Sequence, residues 1–345
     1  MDHLNKAFAR MGVQALFIVW GAPQGSHRSK LIGEQLGIDV HHICFTAKQG
    51  WFTAPVKYFF QMLMTLVFLI RHRTGSEHAH ELIFVQDPPI FAVLPVYVYS
   101  LFSEAHFIID SHTDALQAAF WKWTLPLHRF LERRAVTTIV TNDKLREMIE
   151  GWGAHAFTLE DPPAQFNISQ PTILPDSTLN VVVVSTADYD EPVQEIVEAA
   201  RRLEDVDFYI TGDFANSRKH QGIVENAPGN VHFTGYVREG YFALLDATDV
   251  IMCLTTEDNT FLSGANEALW LGKPIITSDW PLLRAYFNKG TIHVDNTVAD
   301  IRHAVQEMKD NLADFQAGIR SLQKDRYKDW WKRADDLVHI IQNAM

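Results

Sequence analysis

Apolar residues in this chain come in short unbroken runs, separated by stretches in which they recur with helical spacing. QALFIVW (14–20) predicts a strand covered on both faces, as in a parallel sheet. A turn-like GAPQGSH and a helical RSKLIGEQLG ended by Gly37 follow, then a strand in IDVHHICF (38–45). Pro55 opens a long apolar helix. ELIFVQ (81–86) predicts a strand that stops at Asp87-Pro88-Pro89, because proline cannot donate to a sheet ladder. A helix to about residue 101 follows. AHFIID (105–110), VTTIVT (136–141) and HAFTLED (155–161) predict further strands, and Asn142 is placed to cap a helix ending near Gly151. This alternation predicts a parallel sheet with helices on both faces.

AQFNISQPTILPDST (164–178) has neither period and reads as a linker. The rhythm then restarts. LNVVVVS (179–185), DFYITGD (207–213), NVHFTGY (230–236), DVIMCLT (249–255), PIITSD (274–279) and TIHVD (291–295) predict strands. EPVQEIVEAARRL (191–203) and segments near 238–247, 263–271 and 297–308 predict helices between them, and 310–343 predicts at least two helical pieces. The expected division is a first α/β domain over 1–165, a second over 166–322, and a terminal helix over 323–345 that packs back on the first. In open parallel sheets ligands bind beyond the carboxyl ends of the strands, and two such domains facing each other make a cleft.

Composition narrows the picture. A length of 345 residues favours two cores over one. The net charge of -12 opposes polyanions, so no nucleic-acid partner is expected. Cys44 and Cys253 both lie in apolar runs and read as buried thiols rather than a disulfide framework. The opening MDHLNKAFARMG lacks the apolar core of a secretory signal, which makes a cytoplasmic location the expectation. YFFQMLMTLVFLI (58–70) is flanked by Lys57 and by Arg71-His72-Arg73. Two readings stand: a crossover helix packed on the sheet, or a helix whose residues 56–73 rest on the inner face of a membrane. No histidine-cysteine set has zinc spacing, and no metal is expected.

Three segments carry candidate chemistry. In TTEDNTFLSGANEALWLGKPIITSDWP (255–281) a strand end leads through a polar loop into a helix. Ser263, Gly264 and Ala265 open that helix, where free amides and the positive dipole end suit a diphosphate and small residues let it approach. Glu267, one turn in, is placed to accept hydrogen bonds from both ribose hydroxyls; the plainer alternative is a carboxylate that only satisfies the dipole. In IIDSHTDAL (108–116), Asp110 ends a strand and His112 follows in the loop, the edge at which catalytic groups gather. Asp110 reads as a base or acceptor-hydroxyl ligand, or equally as a cap of the following segment. In WGAPQGSHRSK (20–30), Arg28 reads as an anion contact, although the loop is neither a dinucleotide fingerprint nor a P-loop. Arg218 and Lys219, in TGDFANSRKH, are further candidate cations for an anionic ligand.

VHFTGYV followed by DVIMCLTTEDNTFLSGANEALWLGKPIITSD resembles the GT-B fold glycosyltransferases, the large retaining group that builds bacterial polysaccharides and glycoconjugates. The resemblance implies two Rossmann-like parallel-sheet domains facing a central cleft. It implies hexosyl transfer, with retention, from a UDP- or GDP-linked sugar to a hydroxyl of a saccharide or lipid-linked acceptor. The nucleotide-sugar is a substrate and no further cofactor is implied. Glu267 becomes the ribose ligand and His112 the first-domain histidine near the donor sugar. The family's partner glutamate, eight positions earlier, falls on Asn259. A nucleotide-sugar 2-epimerase and a non-catalytic nucleotide-sugar-binding protein are the alternatives.

Overall fold

The computed structural model describes residues 13–22, 27–46, 53–73, 80–168, 171–175, 178–214, 221–237 and 239–345. The chain forms two compact units, Met1–Pro162 with Asp329–Met345, and Pro163–Lys328.

The first unit contains β1 (Val13–Trp20), α1 (His27–Leu36), β2 (Asp39–Ile43), α2 (Ala54–Arg73), β3 (His80–Asp87), α3 (Val93–Ser100), β4 (Ala105–Ser111), α4 (Thr113–Gln117), α5 (Leu125–Glu132), β5 (Thr138–Val140), α6 (Asp143–Glu150) and β6 (Ala156–Thr158). Its sheet is six-stranded and parallel, in the order β2-β1-β3-β4-β5-β6. The unbroken apolar runs have a direct explanation. Phe17 and Val19 of β1, Phe84 of β3 and Ile108 of β4 point into one core. Their neighbours Leu16, Ile18, Ile83, Val85, Phe107 and Ile109 point into a second core on the opposite face. With both faces covered, the centres of these three strands carry only apolar residues. Asn142 caps α6, its Oδ1 accepting from Leu145 N at 3.0 Å.

The second unit contains β7 (Leu179–Val183), α7 (Val193–Ala200), β8 (Val206–Thr211), α8 (Gln221–Glu225), β9 (Val231–Gly235), α9 (Tyr241–Ala247), β10 (Val250–Cys253), α10 (Ser263–Leu271), β11 (Ile275–Ser278), α11 (Pro281–Tyr286), β12 (Thr291–Val294) and α12 (Val298–Asp310). Its strands are also parallel, in the order β12-β11-β10-β7-β8-β9. The last helix, α13 (Leu312–Ala344), begins in this unit and ends in the first.

The structure departs from the sequence expectations in three places. Residues 312–344 form one helix of 33 residues instead of two pieces. The segment between β4 and β5, for which no element was expected, holds α4, a 3-10 turn at Ala119–Thr124 and α5. Cys44 is half-buried, whereas Cys253 is buried.

Gly318 does not break α13 because its missing side chain is needed there. A Cβ at Gly318 would stand 2.7 Å from Gly290 N, and one at Gly290 would stand 2.2 Å from Ile319 N. Gly290 also has a φ of +65°, in the left-handed region. The two glycines let the turn before β12 lie directly on the helix backbone. Replacing Gly290 by Ala meets backbone that cannot yield, so the Gly290→Ala variant is expected to lose about 2 kcal/mol or more of stability in urea unfolding. A change below about 0.5 kcal/mol would show that the helix can move away.

Candidate functional site

In the second sheet β7 and β10 are adjacent, and the strand order runs away from them in both directions. This is the switch point at which open parallel sheets bind ligands. The chain leaving β10 crosses residues 254–262 and enters α10, whose first backbone bond runs from Asn266 N to Leu262 O at 3.1 Å. The amides of Ser263, Gly264 and Ala265 precede that bond and point out of the helix end. Among the described residues the cap position, Leu262, makes no side-chain capping bond. Ser263 is exposed, while Gly264 and Ala265 are buried. The role of Gly264 differs from the one its position suggested. A Cβ there would stand 2.6 Å from Val184 Cγ1 and 2.8 Å from Cys253 Sγ, so its small size serves the close packing of α10 on the sheet. That packing holds the helix end at the switch point.

Glu267 is half-buried, and its Oε2 accepts a hydrogen bond from Tyr241 Oη at 2.7 Å. Burial, then the adjacent Glu267 charge, raises the Tyr241 pKa, so the phenol keeps its proton and acts as the donor. Tyr241, the first residue of α9, fixes this carboxylate, and nothing in the local spacing identified it.

The acidic loop after β7 is built into the scaffold. The Glu191 carboxylate accepts from Ser185 Oγ at 2.5 Å, Thr186 N at 2.9 Å and Asp188 N at 3.1 Å. Asp190 reaches across to the chain leaving β10: its Oδ2 accepts from Thr255 Oγ1 at 2.5 Å and its carbonyl from Thr256 N at 2.8 Å. Ser278 Oγ accepts from Thr255 N at 2.8 Å and donates to Asn296 Oδ1 at 2.8 Å. Asn296 Nδ2 and Trp280 Nε1 each donate to the Thr255 carbonyl at 2.9 Å. Trp280 therefore spends its polar atom within the scaffold. Asn259 has a φ of +65°, a conformation asparagine tolerates far better than most residues. Arg218 and Lys219 lie outside the described residues.

In the first unit Asp110 is fully buried at the carboxyl end of β4. Its Oδ1 accepts from Arg28 Nε at 3.2 Å, and its Oδ2 lies 3.4 Å from both Ser29 Oγ and His112 Nε2. Arg28 Nη1 also donates to Asp161 Oδ1 at 2.5 Å, and Nη2 to the Leu159 carbonyl at 2.8 Å. Burial by itself would raise the Asp110 pKa, but the Arg28 charge and the His112 contact override it and hold the carboxyl at about 2. Two expectations change as a result. Asp110 stays ionised and is too weak a base to take a proton near neutral pH. Arg28 is buried, with its donors directed at Asp110, Asp161 and Leu159 rather than at an anion in solution.

His112 is the most exposed member of this group, with 27% of its side chain exposed against 17% for Asp161. Its backbone N donates to the Asp87 carbonyl at 2.8 Å, and its Nε2 is turned inward toward Asp110. Behind it lies a second buried cluster. Asp87 Oδ2 accepts from Ser111 Oγ at 3.1 Å and stands 3.4 Å from His128 Nδ1, which is 3.2 Å from Glu132 Oε1. Burial pushes the Asp87 carboxyl up to about 6. Among the described residues no group of three His, Cys, Asp or Glu side chains is arranged to hold a metal ion.

Comparison with known proteins follows this geometry. Residues 179–314, within the second unit, match the family model described as "Glycosyl transferases group 1". Sucrose-phosphate synthase from Thermosynechococcus elongatus superposes with a TM-score of 0.69 over 96% of this chain and 98% of its own, at 13% identity. Anabaena HepE, solved in complex with UDP and glucose, gives 0.64 over 95% and 99%, at 15% identity. S. aureus TarM, solved as a mutant with UDP bound, gives 0.59 over 79% and 59%, at 14% identity. No curated protein sequence matches. At these identities the likeness establishes the fold: an α/β GT-B fold shared with glycosyltransferases.

The buried Arg28–Asp110 pair predicts an acid-sensitive stability. The folded-state pKa of Asp110 is depressed, so its contribution is present above the ordinary value of 3.8 and is lost as pH falls toward 2. That contribution is about 2 kcal/mol. The Arg28→Met variant leaves a buried carboxylate without its partner and is expected to lose about 3–5 kcal/mol at pH 7. Arg28→Met combined with Asp110→Asn should recover much of that loss in urea unfolding. Equal instability of the single and double variants would show that the pair does not act as one electrostatic unit.

Proposed function

We propose that this chain transfers a hexosyl group from a nucleoside diphosphate sugar to an acceptor hydroxyl. One observation carries the reading: at the switch point of the family-matched unit, the amino end of α10 has no side-chain cap, and a carboxylate is held one turn further on by Tyr241. The amides of Ser263, Gly264 and Ala265 suit the diphosphate, and Glu267 suits the ribose hydroxyls. The same donors would take up charge that grows on the diphosphate as its bond to the sugar breaks, an electrostatic contribution needing no positioned nucleophile. The HepE and TarM structures contain UDP, which favours a uridine donor here.

On the first unit, His112 is the residue proposed to touch sugar or acceptor, since it is the most exposed member of its group. Asp110 and Arg28 are proposed as positioning residues. An ionised Asp110 favours the tautomer with hydrogen on Nε2, leaving Nδ1 free to accept. A second reading, nucleotide-sugar binding without transfer, is favoured by Asn259, which stands where the family carries a glutamate.

Titration calorimetry with UDP should show at least tenfold weaker binding for Glu267→Ala, because hydrogen bonds to a charged group contribute about 1.5–3 kcal/mol. Unchanged affinity would remove Glu267 from the site. His112→Ala should lower nucleotide release in the presence of acceptor by about 100-fold while leaving UDP affinity unchanged. Tight UDP binding by the native chain with no sugar transferred across a donor and acceptor screen would support the binding-only reading instead. Where transfer occurs, retention at the anomeric carbon is the proposed outcome, read by NMR of the product.

A further inference from the structure

The helix α2 is inside out. Its mid-helix polar residues Gln61 and Thr65 are 1% and 0% exposed, whereas the apolar Phe59, Val67 and Ile70 are 57%, 46% and 56% exposed. Each polar side chain is tied inward by a hydrogen bond: Gln61 Nε2 donates to the Ile43 carbonyl at 2.9 Å, and Thr65 Oγ1 accepts from Trp20 Nε1 at 2.9 Å. Val56, Phe60, Leu63 and Met64 share the outward face with those three. At 100° per residue the seven fall within an arc of roughly 140°. A helix at a water surface shows the reverse arrangement. The inward face packs into a core through Leu69, with Tyr58 and Leu66 beside it.

Two further features say what covers the outward face. The first is charge. The chain carries a net charge of -12, yet residues 54–73 contain no Asp or Glu and include Lys57, Arg71 and Arg73. Lys122, on the neighbouring 3-10 turn, is exposed. The second is a groove of about 460 Å³ that continues from the face, lined by Tyr58, Phe59, Met62, Phe91, Phe120 and Trp123 among others, all apolar. Trp123 is 64% exposed, and Phe120 is 54% exposed. Its walls are the first turns of α2 and the segments leaving β3 and β4, so it lies at the edge that carries His112. An apolar stripe bordered by cations, with exposed tryptophan at its margin, matches the layered chemistry of a bilayer surface with anionic headgroups.

We propose that the outward face of α2 docks on an anionic lipid bilayer, with an acyl chain entering the groove between Phe59 and Trp123. The docking stands on these observations alone. Its consequence rests on the glycosyl-transfer reading: the acceptor is presented from the membrane, close to His112.

The test is flotation of the full chain with vesicles of phosphatidylcholine, with and without 30% phosphatidylglycerol. The native protein is expected to float with the anionic vesicles, at least tenfold less with neutral ones, and progressively less as salt is raised. Phe59→Ser with Val67→Ser changes exposed residues only and should abolish flotation while leaving the thermal melt unchanged. Vesicles of brominated phosphatidylglycerol should quench tryptophan fluorescence, and Trp123→Phe should reduce that quenching. Native protein that stays in solution with every vesicle would overturn the proposal. So would a dimer by light scattering that Phe59→Ser with Val67→Ser converts to monomer, since the face would then be covered by a second copy. UDP affinity, measured without vesicles, reports on the functional reading separately.

Discussion

Parallel pairing is the constraint from which the rest of this molecule follows. Each strand must be returned to the start of the next by a crossover, so both faces of each sheet are covered and all strands of a sheet end at one edge. Successive residues such as Phe17 and Ile18 serve opposite cores, which leaves no place for a polar side chain between them. Polar chemistry is displaced to the carboxyl edge, and Asp87, Asp110, Thr255 and Ser278 are found there, each hydrogen-bonded.

The two edges are organised by different forces. In the first unit ionisable groups are gathered together: Arg28 with Asp110 and Asp161, and His128 with Asp87 and Glu132. Removing Arg28 would leave Asp110 an uncompensated ion in a dry place. In the second unit the strand ends at 255 and 278 are joined mainly by hydroxyl and amide groups, and acidic side chains cap a loop instead of pairing with cations. The first arrangement rigidifies His112 through its neighbours; the second leaves the helix end at Ser263 open to an anion. In the proposed reading the first unit serves the acceptor and the second the donor.

Much of this was legible in the sequence where the signal is local. The run of alternating apolar segments located the strands, and the polar loop before SGANEALWL located α10 at Ser263–Leu271. What spacing cannot show is a partner far along the chain. Arg28 was misread because its acids are 82 and 133 residues away, and Tyr241 was missed because it meets Glu267 from another helix. The five residues of α4 are too few for helical periodicity to register, and in α5 the buried face carries His128 and Glu132 beside Leu131, which hides the apolar stripe. Composition announced that residues 58–70 are greasy, but only packing reveals that Gln61 and Thr65 face inward.

The first unit is discontinuous: Trp330, Ala334, Leu337, Val338 and Ile341 belong to the same core as Phe17 and Phe84. During synthesis its sheet is therefore complete long before its core can close. The ribosome must release the final turns of α13 before that surface is covered, whereas Pro163–Lys328 is contiguous. The second unit can thus reach its native state first, despite being made second, and the amino-terminal sheet waits with an apolar face uncovered until α13 has emerged.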